Sequence, residues 1–225
     1  MLKSIDKSNI TFQAKIKFIP YAEFEKKFGI DKTGIDFNDK RFCYDTKDRA
    51  IINGREVYTS CIQVCVAGGI TDKKNAVMWH FNPGKVLGVL KNKMTKLKKD
   101  IANNLHREQL EGLIIGGSPT FLKSQKVFLE LMKLFSSVKS NLEQAITLLW
   151  HSNSQLSAAS YEAKSDTWSI GVFELNKYGK DKDSIIRRLK EVYSDIKVSD
   201  SDTVYLNEQK VENKELNTKN HLWLN

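Results

Sequence analysis

The chain is poor in the residues that staple or break a fold, with 3 cysteines and 3 prolines in 225 residues. Cys43, Cys61 and Cys65 cannot supply the even disulfide framework of a small secreted domain, so reduced thiols are expected. Cys61 and Cys65 have no second cysteine pair to complete a zinc site, and His106 and His151 lie far along the chain. No metal and no cofactor are therefore expected. No apolar run approaches the ~20 residues that span a bilayer. The start Met1-Leu2-Lys3-Ser4-Ile5-Asp6 lacks the apolar segment of a secretory signal, so the expectation is cytoplasmic synthesis and no membrane. Aromatics are missing from the most basic stretch, which bears on the charge.

What is present is ordinary globular composition, 40% hydrophobic and 28% charged, with a formal charge of +9. Clustered lysines can bind phosphates by displacing counterions, so where they sit decides their meaning. Lys85, Lys91, Lys93, Lys96, Lys98 and Lys99 interleave with Val86, Leu90, Met94, Leu97 and Ile101 at helical spacing. They read as a solvated helix face rather than a nucleic-acid groove, with docking of an acidic partner as the other reading. The length suits one domain, 1–225, with a core large enough to need no staples.

Alternation of Ile10, Phe12, Ala14, Ile16 and Phe18 predicts a strand. Pro20 followed by Tyr21, Phe24 and Phe28 on one face up to Gly29 predicts a short helix. Residues 30–48 read as a loop or weak hairpin. Asn53-Gly54 predicts a hairpin whose second arm runs over 55–67, with Thr59, Cys61, Gln63 and Cys65 sharing one face. Gly68-Gly69 and 71–75 read as a connection, and 76–81 as a neighbouring antiparallel strand ended by Asn82-Pro83-Gly84. A lysine-rich helix over 85–105, a strand over 110–115 and a helix carrying Phe121, Phe128, Met132 and Phe135 follow. Strands over 145–150 and around Trp168, Ile170 and Val172 come next. A helix with Ile185, Leu189 and Val192 and a polar tail ending in Leu222-Trp223-Leu224 close the chain. The fold class is α+β, with mixed, largely antiparallel sheets flanked by helices.

One constellation carries chemistry. A thiol is nucleophilic as its thiolate and needs a base within reach, usually histidine. Cys61 and His80 lie on sequential strands expected to pair, so their side chains can meet. Cys65 shares the face of Cys61 and is the alternative nucleophile. Gly116-Gly117 before a helix reads as a tight turn, since it lacks the Lys-Ser/Thr ending of a phosphate-binding loop.

Ser60-Cys61 leading into an apolar strand, His80 followed by Pro83, and Gly116-Gly117-Ser118 opening a helix, in this order, resemble the CheD glutamine deamidase family over about 55–175. The thiol and histidine are also similar to those of deamidases of the cytotoxic-necrotizing-factor type. The resemblance implies a CheD-like layered α/β sandwich with N- and C-terminal additions. It implies a cysteine hydrolase that converts glutamine of a target protein to glutamate through a thioester, as a toxin or effector delivered into a host cell would. Cys61 would be the nucleophile, His80 the acid and base, and Ser60, Gln63, Gly116, Gly117 and Ser118 the surrounding substrate-binding or structural loops. Two departures stand out. The family's catalytic threonine, six residues before the cysteine, is Arg55 here, so Thr59 or Gln63 is the candidate third member. The segment 151–155 replaces a Gly-rich acidic stretch and points away from receptor substrates. A non-catalytic interaction module, or peptidase or transglutaminase chemistry on the same thiol, are the competing readings.

Overall fold

Pro20 fixes φ at −55° and closes β1 (Lys15–Pro20) directly onto α1 (Tyr21–Phe28), which ends where Gly29 adopts a left-handed φ of 63°. Glycine takes that conformation without the steric cost a Cβ imposes, so the predicted helix stops where expected. The computed structural model describes residues 14–30, 36–44, 49–53, 56–105, 110–138, 146–153, 155–177, 179–200 and 202–218. Residues 10–13 of the predicted first strand, Gly54 of the predicted turn and the 222–224 tail lie outside them.

The chain continues through β2 (Arg49–Asn53), β3 (Glu56–Ile62), β4 (Val66–Thr71) and β5 (Asn75–Phe81). A one-turn helix α2 (Pro83–Val86), capped by the Asn82 side chain, leads through a 3-10 turn (Leu87–Val89) into α3 (Leu90–Asn104). Then come β6 (Glu111–Gly116), α4 (Leu122–Val138), β7 (Ile146–His151), β8 (Ser157–Glu162) and β9 (Thr167–Val172). The last elements are α5 (Lys182–Val192), β10 (Tyr193–Lys197), β11 (Thr203–Leu206), β12 (Gln209–Val211) and α6 (Asn213–Leu216). Among the described residues no helix is long and apolar enough to cross a membrane.

The strands form two six-stranded sheets, ordered β12-β11-β1-β9-β8-β3 and β10-β7-β6-β4-β5-β2. Most pairings are antiparallel, the parallel ones being β1 with β9 and β11, and β6 with β7. This is the expected α+β class. The sheets pack face to face over a core that takes Ile16, Val57, Tyr161 and Trp168 from the first and Ala67, Met78, Leu113 and Leu149 from the second. On the outer face of the second sheet, Val77, Trp79, Ile114 and Trp150 meet Leu97 and Ile101 of α3 and Phe128 and Phe135 of α4. Helix α1 covers the first sheet through Phe24 and Phe28. Alternation along β4, β5 and β6 thus puts one set of side chains between the sheets and the other under helices, which is why these strands lack a polar face.

Several expectations are corrected. The predicted Asn53-Gly54 hairpin does not form, because β2 pairs with β5 of one sheet and β3 with β8 of the other. A turn preference is weaker than the burial each strand gains in its own sheet. The predicted long arm over 55–67 is broken at 63–65, so β3 and β4 lie in opposite sheets. Gly68-Gly69 is no connection but the middle of β4, flanked by β5 and β6. A Cβ on Gly68 would lie 2.0 Å from the Leu113 carbonyl oxygen, and one on Gly69 2.7 Å from the Trp168 ring. These glycines permit close packing inside a strand. The polar tail contributes β11 and β12 to the first sheet, and β8 pairs with β3 and β9 where no strand is predicted.

Candidate active site

The site begins at an irregularity in β3. Thr59 pairs with Ala159 and Ile62 with Ser157, so three steps on β3 oppose two on β8. The extra residue is a β-bulge, and Cys61 within it has a positive φ of 58°. A bulge re-aims a side chain, and left-handed backbone at a non-glycine residue is strained. Thr59 and Ser60 are buried while the Cys61 thiol is exposed. The expectation that Thr59 and Cys61 share a face therefore fails, because the bulge interrupts the alternation between them.

Residues 76, 78 and 80 of β5 point between the sheets, and this carries the His80 ring toward β3. Its Nδ1 lies 2.6 Å from Thr59 Oγ1 in a buried hydrogen bond. A histidine on one sheet is thus held by a threonine on the other, two residues before the exposed thiol. Tyr44 packs on the imidazole at 5.4 Å between ring centroids. The strand-like segment carrying Tyr44 is anchored beside β3 by bonds from Cys43 N–H to Tyr58 O and from Tyr58 N–H to Arg41 O.

Tyr21, the first residue of α1, reaches the bulge from the other side. Its hydroxyl lies 2.6 Å from Ser60 Oγ and 3.9 Å from Cys61 Sγ, and accepts the Cys61 N–H at 3.4 Å. Ser60 Oγ is 4.0 Å from the sulfur. Burial pushes the Tyr21 phenol up to about 12 against the opposing hydrogen bond of Ser60, so it stays protonated at neutral pH. Two hydroxyls therefore stand where they can donate to the sulfur.

The segment that follows Cys61 is pinned by its own carbonyls. Gly117 N–H donates to Cys65 O at 2.7 Å and Ser124 Oγ to Val64 O at 2.5 Å. His151 Nδ1 lies 3.0 Å from Gln63 O, and its Nε2 lies 2.9 Å from Ser157 Oγ, which is 3.0 Å from Tyr193 Oη. A carbonyl only accepts, so Nδ1 carries the proton and Nε2 accepts from Ser157. Burial pulls His151 down to about 4, despite its bonds to the Gln63 and Gly117 backbones, so the ring is neutral at physiological pH. Gly116 has φ 104°, and a Cβ there would sit 2.3 Å from Cys65 O.

Of the sequence candidates, Thr59, Ser60 and Cys61 lie at the bulge and His80 reaches Thr59 there, while the hydrogen-bond contacts of the Cys61 sulfur are with Tyr21 and Ser60. The expected pairing of the Cys61 strand with the His80 strand does not form, because β3 pairs with β8 and β5 with β2 and β4. Gln63 is exposed and contributes its backbone carbonyl to the His151 clamp. Gly116 and Gly117 hold the segment after Cys61, and Ser118 is buried with its hydroxyl 2.9 Å from Thr120 Oγ1. Tyr21, Tyr44, Ser124 and His151 were not foreseen. Tyr21 reads as an apolar-face residue of its helix, and only the bare presence of a histidine after an apolar strand marks His151. The chain matches no protein-family model and no curated protein sequence.

Proposed function

We propose that the protein is a cysteine-dependent glutamine deamidase acting on a protein substrate, with Cys61 as nucleophile, His80 as acid and base, and Thr59 as the residue that orients His80. The observation that carries this reading is the 2.6 Å bond between Thr59 and His80 across the two sheets, beside an exposed thiol on a strained bulge. Thr59 supplies the orienting contact for which Arg55 is chemically unsuited.

This chemistry requires the tautomer in which Nδ1–H is donated to Thr59 Oγ1, which leaves the His80 Nε2 lone pair to take the thiol proton. The thiolate attacks the carboxamide carbon of the substrate glutamine, forming a C–S bond and placing negative charge on the oxygen. Donors aimed at that oxygen contribute much of the rate in such reactions, and the hydroxyls of Tyr21 and Ser60 stand near the sulfur. The imidazolium then protonates the departing nitrogen, the C–N bond breaks, and ammonia leaves a thioester. His80 next deprotonates water, the hydroxide attacks the thioester, the C–S bond breaks, and the products are glutamate and the free thiol.

A library of peptides, each with a single glutamine, tests this. Wild type should release ammonia and raise peptide mass by about one dalton, and Cys61→Ser and His80→Ala should each lower the rate at least about 100-fold. Undiminished release by Cys61→Ser, or no release by wild type from any peptide in the library, would overturn the proposal.

A further inference from the structure

Beside His80 opens a small pocket of about 190 Å³, lined by His80, Phe81, Asn82, Lys85, Val86, Val89 and Lys93. Ligand pockets for free small molecules usually run to roughly 300–1,000 Å³. This one is sized for a side chain presented by a larger partner. Its walls combine apolar Phe81, Val86 and Val89, the last 46% exposed, with two lysines. The fold brings these residues together. His80 ends the inward-facing series of β5, Asn82 caps α2, and the tight turn through α2 and Leu87–Val89 brings Lys93 of α3 back to the strand end.

The charge does not stop at the rim. Lys93, Lys96 and Lys99 follow at three-residue intervals and are surface neighbours on α3. Six lysines and one aspartate, Asp100, are the charged residues of 85–105. The buried face of the same helix is spent on Leu90, Met94, Leu97 and Ile101, so the lysines form its outward surface.

We infer that this pocket is the specificity subsite of the deamidase, and that the target glutamine is carried on an acidic polypeptide segment whose carboxylates engage Lys85 and Lys93. The inference rests on the deamidase reading and adds the substrate class. A carboxylate on a residue near the target glutamine enters the pocket between the two lysines, its methylenes lie on Val86 and Val89, and further acidic residues follow the Lys96 and Lys99 stripe. Attraction of this kind acts over about a Debye length, ~10 Å at 0.1 M salt, and therefore weakens as salt rises.

The test uses two fluorescein-labelled peptides of one sequence with a central glutamine, flanked in one by glutamates and in the other by lysines. Binding is read by anisotropy on the Cys61→Ser protein, which separates docking from turnover. The glutamate peptide should bind at least about tenfold more tightly at low salt, a difference that Lys85→Glu/Lys93→Glu abolishes or reverses. Lys190→Glu/Lys210→Glu, with the same charge change at exposed positions elsewhere, should keep the preference. Equal affinity for the two peptides, or a preference untouched by Lys85→Glu/Lys93→Glu, would overturn the subsite. Turnover of both peptides by wild type without preference removes the subsite and leaves the deamidase standing. Tight, lysine-dependent binding with no turnover does the reverse.

Discussion

At Cys61 the backbone stores strain where the chemistry is proposed to occur. A φ of 58° costs a non-glycine residue on the order of 1 kcal/mol, and an exposed thiol returns little packing to offset it. Cys61→Gly should therefore be more stable than Cys61→Ala by about 1 kcal/mol in urea unfolding, although both lack the thiol. Equal stability of the two variants would remove the strain. Thr59 gives a second residue-scale prediction. Thr59→Ser keeps the hydroxyl beside His80 and should retain most activity, whereas Thr59→Val should lose at least about tenfold in kcat and shift the acidic limb of the pH profile. A profile identical to wild type in Thr59→Val would assign Thr59 to packing alone. Cys61 and His80 were singled out from residue types and spacing, but the strand pairing expected to join them does not form, and Thr59, expected to share the face of Cys61, instead meets His80. Tyr21 was not, since nothing local distinguishes an aromatic that packs from one whose hydroxyl also reaches another element.

Among elements, the glycine turn between β6 and α4 braces the segment that follows Cys61, through the bond from Gly117 N–H to Cys65 O. Gly116 and Gly117 both have positive φ, and a Cβ on Gly117 would fall 2.0 Å from the Trp150 ring. Gly116→Ala would press on the Cys65 carbonyl and should cost more than about 2 kcal/mol of stability, with a parallel loss in kcat/KM. Gly88→Ala, where nothing lies within 4 Å of the added atom, should be within about 0.5 kcal/mol of wild type. Similar losses in both variants would mean that the clash is relieved elsewhere. This scale also shows where sequence reasoning reached its limit. Strands β5, β6, β7 and β9 were readable because their apolar content is dense, and α1, α3 and α4 because their stripes hold the helical period. Partner choice was not readable. Asn53-Gly54 favours a hairpin locally, but β2 and β3 join different sheets, and no short-range signal encodes that divergence. Gly68-Gly69 resembles a break until Trp168 and Leu113 are in place against it.

Across the whole molecule, buried polar groups occupy both ends of the space between the sheets, and they respond to pH in opposite directions. At the end away from Cys61, Glu111 is buried near Lys73, Asp166 and Asp202, with Lys73 Nζ 2.9 Å from Asp166 and 3.6 Å from Glu111. Burial first, then repulsion from Asp166, pushes Glu111 up to about 7. Burial likewise raises Asp202 to about 7, although Thr147 donates to it at 2.7 Å. Their ordinary values are 4.5 and 3.8, so between those values and 7 the folded state holds protons that the unfolded chain has lost. Stability from this pair is therefore full below about pH 4 and declines as pH rises through 7. His151 works the other way. Its value falls from 6.5 to about 4, so its contribution is full above 6.5 and declines as pH drops through 4. Glu111→Gln separates the two effects, because it removes one titrating carboxyl and leaves the histidine. The variant should match wild type near pH 4 and exceed it above pH 8, by on the order of 3 kcal/mol if the whole shift is expressed. Urea unfolding of both proteins at pH 4.5, 6 and 8 measures the difference directly. A gap that does not widen with pH would show that Glu111 is already charged in the fold and that its attraction to Lys73 outweighs the burial.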